Sequence, residues 1–279
     1  MQSSTSNHLS IEVSYPDDLK NTVVESTAAW KNFCTLPQQI KDSIGFTNFG
    51  GYEVKHSDNG DQKELLHYTK SAKKLFTEFA VSLDHEYAAI IHRLVEVSER
   101  VIDESLPLIG NFLQETEQKI GQTNLKDSAL QAKEQYVLRY LHYFPKADSK
   151  EEIAAAHCDI GGFTLHLAED IPGLQYLDTD KTWKKISFDG TKTIIFPGMG
   201  MQHRTKNSVI ATCHRVVSTQ KSKANGRYSS VLFAVWPGAG RWNKEKFGSL
   251  STQAPGFNYE IPHEKLSQYF DESKDLSTI

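Results

Sequence analysis

The hydrophobic pattern changes period along the chain. From residue 71 to about 118 apolar side chains recur at three and four, with Tyr87, Ile90, Ile91, Leu94, Val97 and Val101 on one stripe, which predicts a helix with one buried face. A second helix is predicted over residues 18–34, ending at the Leu36-Pro37 break. The segment 121–126 interrupts the helical pattern, and strands are expected from about Gln135 onward. Residues 210–218 and 231–236 each read as a strand. The polar stretch between them ends in Asn225-Gly226, a dipeptide that favours a tight turn, so a hairpin is predicted there. Residues 1–10 read as disordered, 53–63 as a polar loop, and the tail after Pro262 as a short helix with a frayed end.

Candidate chemistry sits in the strand-rich half. In an extended strand, residues i and i+2 share a face, so His157 and Asp159 can share an ion while Cys158 turns away to pack. With His214 they make two imidazoles and one carboxylate, a set that occupies one face of an octahedral Fe(II) and leaves the other face open. Arg227 and Ser229 are again i and i+2. A guanidinium fork beside a hydroxyl suits a small dicarboxylate, and the predicted hairpin would bring both beside His214.

These residues resemble the isopenicillin N synthase-like branch of the Fe(II)/2-oxoglutarate-dependent dioxygenases. Residues 157–176, HCDIGGFTLHLAEDIPGLQY, run without a gap along the family pattern H-x-D-x-G-x-x-T-L-L-x-Q-D-x-x-G-G-L-Q. Leu138 to Pro145 is similar to the segment L-R-L-N-Y-Y-P-P, and Gly198, Thr205 and His214-Arg215-Val216 keep the family spacing. Upstream, the run from Phe33 to Lys41, then Gly51-Tyr52, then Gln62-Lys63-Glu64 are similar to F-x-L-P-x-x-x-K, G-Y and D-x-K-E. The likeness spans roughly residues 28–240. His166 stands where the family has leucine, Ala168 where it has glutamine, Met199 where it has aspartate, and Lys206-Asn207 where it has Asn-Gly; the loop from His214 to Arg227 is longer than usual.

The resemblance implies a mainly β fold with flanking helices, a double-stranded β-helix (jelly roll) with N-terminal helices. Residues 11–134 would pack on a core at 135–240, within one unit, followed by an extension at 241–279. It implies His157, Asp159 and His214 as Fe(II) ligands, Arg227 and Ser229 as the anchor of 2-oxoglutarate, and Tyr143 at the far end of that cosubstrate. The implied reaction is hydroxylation or desaturation of a small molecule with O2, releasing succinate and CO2. The loop around residues 53–63 is then a candidate lid. Two alternatives stay open: a ketoacid-independent Fe(II) oxidase, and a jelly-roll module that binds metal or ligand without turnover.

Other features narrow the picture. A net charge of -4 gives no broad basic surface, which argues against nucleic acid as a partner. Three cysteines do not make a disulfide framework, and no apolar run suits a signal core or a membrane span, so a cytoplasmic location is expected. His85 and His92 lie seven apart, not the four a zinc-protease helix needs. His203 is a weaker rival to His214 because it lacks the strand context. His166 is expected to be structural or pocket-lining, and Cys213 to be core.

Overall fold

The computed structural model describes residues 11–45, 47, 50–56, 62–146, 151–178, 180–186, 190–234, 241–242 and 270–271. Helix α1 (Asp17–Cys34) carries Asp17 and Asp18 in its first turn, where the helix dipole favours negative charge, and α2 (Gln38–Ser43) follows the Leu36-Pro37 break. The long apolar stripe becomes α4 (His85–Ile120), preceded by α3 (Lys73–Val81) and stopped by Gly121, whose φ of 65° is readily adopted only without a Cβ. Ile91, Leu94, Val97 and Val101 of the stripe are buried, while Tyr87 and Ile90 are half-buried at its edge. The predicted break holds one more short helix, α5 (Leu125–Gln131).

Eleven of the strands build two antiparallel sheets. Along the chain they are β1 (Ile11–Ser14), β2 (Gly51–Lys55), β3 (Lys63–Tyr68), β4 (Val137–Tyr143), β5 (Glu152–His157), β6 (Phe163–Glu169), β7 (Leu174–Leu177), β8 (Trp183–Lys185), β9 (Lys192–Pro197), β10 (His214–Val217) and β11 (Arg227–Ala234). The major sheet has the order β1-β9-β6-β11-β4-β3-β2, and the minor sheet β5-β10-β7-β8. The fold is the double-stranded β-helix expected, with helices on one side.

The period-2 rule sorts the major sheet's side chains. Leu138 and Tyr140 of β4, Phe163 and Leu165 of β6, and Leu232 of β11 pack against Trp30, Phe33, Val97 and their neighbours on the helices. Leu141, Tyr143, Ile194 and Phe196 point the other way, toward Ile153, Leu174 and Val216 of the minor sheet. Helices thus cover the outer face, and the two sheets enclose a second, smaller core.

Three sequence expectations need correction. The region 11–134 is not only helical: β1, β2 and β3 join the major sheet, so it completes the barrel rather than merely flanking it. β3 escaped notice because its burial lacks alternation, being covered on both faces. The hairpin between His214 and Arg227 does not form. β10 pairs with β5 and β7 whereas β11 pairs with β4 and β6, and the connection is a short helix, α7 (Gln220–Asn225), with a Thr219–Ser222 capping box. The strand at 210–218 is shorter than read, covering only His214–Val217.

The expectation of disorder at 1–10 lies outside the described residues, as does the middle of the candidate lid at 53–63, whose ends are not loop but the paired strands β2 and β3. So does the helix after Pro262, except that Phe270–Asp271 form a strand paired with Arg241–Trp242.

Candidate functional site

His157 ends β5 and His214 opens β10; the two are direct cross-strand partners, with ring centroids 4.3 Å apart. Asp159 lies beyond the end of β5, so the shared face arises from the turn after the strand and not from strand alternation. That turn is held by the backbone: Met199 N–H donates to the Asp159 carbonyl at 2.8 Å. Gly198 has to be glycine here, since a Cβ would stand 2.2 Å from the Gly161 carbonyl oxygen and 2.9 Å from that of Asp159.

The tautomers of both rings are fixed by backbone carbonyls. His157 Nδ1–H donates to Ala155 O at 2.8 Å, and His214 Nδ1–H donates to Thr212 O at 3.2 Å. Each Nε2 therefore presents a lone pair, and they face Asp159 at 3.6 Å from Oδ1 and 3.7 Å from Oδ2. All three donor atoms lie within 4.8 Å of one another. Three lone-pair donors converging without a proton between them repel unless a cation joins them, so the donor set fits a divalent metal.

Electrostatics agree. Burial pushes the Asp159 carboxyl up, but His214, His157 and the Thr164 hydroxyl, which donates to Oδ2 at 2.5 Å, outweigh it and hold the group below its ordinary range. Burial, then His157, push His214 down to about 4, against the opposing pull of Asp159 and Thr212. Both groups are thus ready to ligate at neutral pH without first losing a proton.

Across the cavity, β11 presents Arg227, Ser229, Val231 and Phe233 on one face, beside Arg139, Leu141 and Tyr143 of β4. The three triad residues, Tyr143, Arg227 and Ser229 line one cavity. Arg227 and Ser229 reach it from the opposite sheet to His214, rather than from a neighbouring hairpin strand. Arg227 is 2% exposed; its Nη1 donates to Ser229 Oγ at 2.9 Å and its Nε to Ile171 O at 3.0 Å. Its guanidinium carbon lies 5.6 Å from the centroid of the Tyr143 ring, whose neighbour on β3 is Lys63, with Nζ at 5.1 Å.

Sequence reasoning missed Glu169, whose carboxylate pairs with Arg227 Nη2. A bulge in β6 puts it there: Ser230 is opposite Ala168 but Val231 is opposite His166, and the skipped residue shifts the phase of Glu169 toward Arg227. The signal was present in the family pattern, where an aspartate stands at this position. Glu169 is not part of the cavity lining; it holds the guanidinium from behind.

His166 lines the cavity and is pushed down to about 4 by burial and then by Arg227, with Glu169 opposing. Alternation counted from Asp159 could not place it, because the chain turns between β5 and β6. His203 lies in α6 (Met199–Arg204), away from the cavity lining. Cys158 and Cys213 are buried, and neither lines the cavity.

Comparison with known proteins agrees with this geometry. Residues 132–235 match the family model described as the 2OG-Fe(II) oxygenase superfamily. The chain is similar to gibberellin 2-beta-dioxygenase 3 of Arabidopsis thaliana, 29% identical over 80% of the chain and 66% of the relative. It is also similar to a probable flavonol synthase 5 of the same plant, 23% identical over 67% of the chain and 57% of the relative. It thus spans two thirds or less of the length of these curated relatives. Among solved structures, a protein of Caulobacter crescentus assigned to the 2OG-Fe(II) oxygenase family superposes with a TM-score of 0.68 at 23% identity, covering 84% of this chain and 79% of that one. The dioxygenase for auxin oxidation 1 of Arabidopsis thaliana, in a 2-oxoglutarate complex, superposes at 0.64 with 15% identity, covering 84% and 85%.

Proposed function

We propose that this chain, whose residues 132–235 match the model of the 2OG-Fe(II) oxygenase superfamily, is a dioxygenase that hydroxylates or desaturates a small molecule, converting O2 and 2-oxoglutarate to succinate and CO2. The observation that carries this reading is the pair of facing walls: three metal donors on and beside the minor sheet, and a guanidinium with a hydroxyl on the major sheet. Iron supplies the oxidising power when bound, together with the ketoacid and O2.

The chain's own work is holding and orienting. His157 Nε2, Asp159 and His214 Nε2 would hold the ion, with Ala155 O, Thr212 O and the Thr164 hydroxyl fixing the three side chains. Arg227 and Ser229 receive the far carboxylate of the cosubstrate, and Tyr143 forms the wall beside it. Phe196, Val231 and Phe233 line the cavity and lower its water content around the ion.

Glu169 bears on the ketoacid-independent alternative, since it already occupies one amino group of Arg227. Labelled CO2 release from 2-oxoglutarate separates the readings: release stoichiometric with product supports the dioxygenase, whereas product without CO2 refutes it in favour of the oxidase. The absence of both would leave a binding module. Replacing Arg227 alone would strand the buried Glu169 charge, so the informative variant is the double Arg227→Gln with Glu169→Gln. It is expected to retain iron and to raise the KM for 2-oxoglutarate at least about tenfold, the scale of one lost charge-assisted contact.

A further inference from the structure

On the proposed function Arg227 receives the far carboxylate of 2-oxoglutarate, and the present proposal rests on that reading. Arg227 meets this task already paired. Its Nη2 donates to Glu169 Oε2, and the two side chains are 2% and 1% exposed. Its Nε is taken by Ile171 O, and one donor of Nη1 by Ser229 Oγ. One N–H on each of Nη1 and Nη2 is left for a ligand. The turn between β6 and β7 closes on the same pair: Leu174 N–H donates to Glu169 Oε2 at 3.4 Å, and Gly173 packs without a Cβ between Val217 O and Arg227 Nε.

Glu169 Oε1 has no partner among the described residues, so Arg227 is the cation that answers this buried carboxylate. The pair is therefore neutral before any ligand arrives. A far carboxylate then docks on a guanidinium whose charge is already matched, and the three groups together carry one net negative charge. Two carboxylates on one guanidinium repel each other, and burial weakens the screening between them.

We infer that Glu169 is a positioning residue with a second effect: it holds Arg227 in place and, as a resident rival anion, loosens the grip of the site on 2-oxoglutarate. The anchor is thereby set to fill and empty with the supply of ketoacid instead of staying saturated. A purely supporting role for Glu169 predicts the opposite sign. Loss of the support would leave Arg227 less well placed and the ketoacid less tightly bound.

The test is anaerobic calorimetry on the iron-loaded protein. Titration of native protein with 2-oxoglutarate comes first; no binding at that step refutes the proposed function itself. Glu169→Gln is then compared, because glutamine keeps the length and the acceptor while removing the charge. It is expected to bind 2-oxoglutarate about tenfold or more tightly than native protein, the scale of one charge-assisted contact in a buried site. The far-end monomethyl ester of 2-oxoglutarate, neutral where it meets Arg227, is expected to bind the two proteins with affinities within about threefold of each other. Equal or weaker binding of 2-oxoglutarate by Glu169→Gln, or an equal gain for acid and ester, would overturn the inference while leaving the first result standing. Should that variant fail to fold, Glu169→Asp decides, since it keeps the charge but draws it back from Arg227. It is expected to tighten 2-oxoglutarate binding by about threefold or more, and unchanged or weaker binding overturns the inference.

Discussion

Among the described residues two clusters have a composition that suits a metal, and they differ in how their lone pairs are occupied. One is His157, Asp159 and His214; the other is Cys34, Glu64 and His142, beneath the helices, and in each the candidate donor atoms fall within 4.8 Å of one another. In the second cluster Glu64 is already saturated. Its Oε2 accepts from Lys41 Nζ at 2.7 Å and from the Tyr52 hydroxyl at 2.7 Å, and its Oε1 accepts from His142 Nδ1 at 2.8 Å. Burial and the Glu64 charge both push the Cys34 thiol up, which keeps it protonated and a poor ligand. In the first cluster the Thr164 hydroxyl takes one lone pair of Asp159, but among the described residues no ammonium pairs with that carboxylate, and backbone carbonyls take the Nδ1 protons. Proximity of ligating residue types does not make a metal site; an unfilled convergence of lone pairs does.

The largest expected effect would break this contrast outright. Asp159→Ala or His157→Ala should abolish iron binding and 2-oxoglutarate consumption together, with turnover lowered by about a thousandfold or more, because the metal supplies the reactivity. Native protein should hold one iron per chain in anaerobic equilibrium dialysis, and His142→Ala should hold the same. Two irons per chain, or one retained in Asp159→Ala, would reverse the assignment of the two clusters.

A second prediction sharpens the contrast from the other side. Glu64→Ala should lower stability by about 3–5 kcal/mol, since it leaves the Lys41 ammonium buried without its carboxylate, yet iron stoichiometry should not change. Lys41→Met with Glu64→Gln should recover much of the loss. The pair also sets an acid limit: burial pushes Glu64 up, but His142, Lys41 and Tyr52 outweigh it and hold it at about 2. A carboxyl depressed in the folded state stabilises fully above its unfolded value of roughly 4.3 and loses that contribution as pH falls toward 2. Chemical denaturation between pH 5 and pH 2 should show a steeper decline in native protein than in the double variant, which keeps its other depressed carboxylates.

The same contrast explains what could be read from the sequence. His157, Asp159, His214, Arg227 and Ser229 could be picked out by residue type and by the family pattern, although the strand alternation invoked for Asp159 and the hairpin invoked for Arg227 do not occur, and the structure brings all five around one cavity. Lys41, Tyr52 and Glu64 were visible as landmarks without a purpose; only folding shows that they meet in one buried network. The hairpin failed because Asn225-Gly226 is a local signal, whereas the two flanking strands choose partners in different sheets. Thr219 and Ser222, which cap the intervening helix, were there to be weighed against it. Glu169 was hidden for a related reason. Its role depends on a bulge in β6, which no periodicity within one segment encodes.

The smallest expected effect concerns His166, the cavity-wall residue that replaces the family's leucine. Its folded value of about 4, set by burial against the opposing pull of Glu169, with a smaller push from Arg227, lies below the roughly 6.5 of an unfolded histidine. As pH falls, the unfolded chain takes up this proton before the folded one does, so the residue costs stability progressively from about pH 6.5 down to about 4. His166→Leu removes that cost. Between pH 7 and pH 5 the iron-free native protein should lose about 2 kcal/mol more than the variant in urea unfolding. Parallel curves would mean that His166 takes up its proton in the folded cavity as easily as in water. The wall beside Arg227 would then be wetter than its packing indicates, and the contrast between the two clusters would narrow.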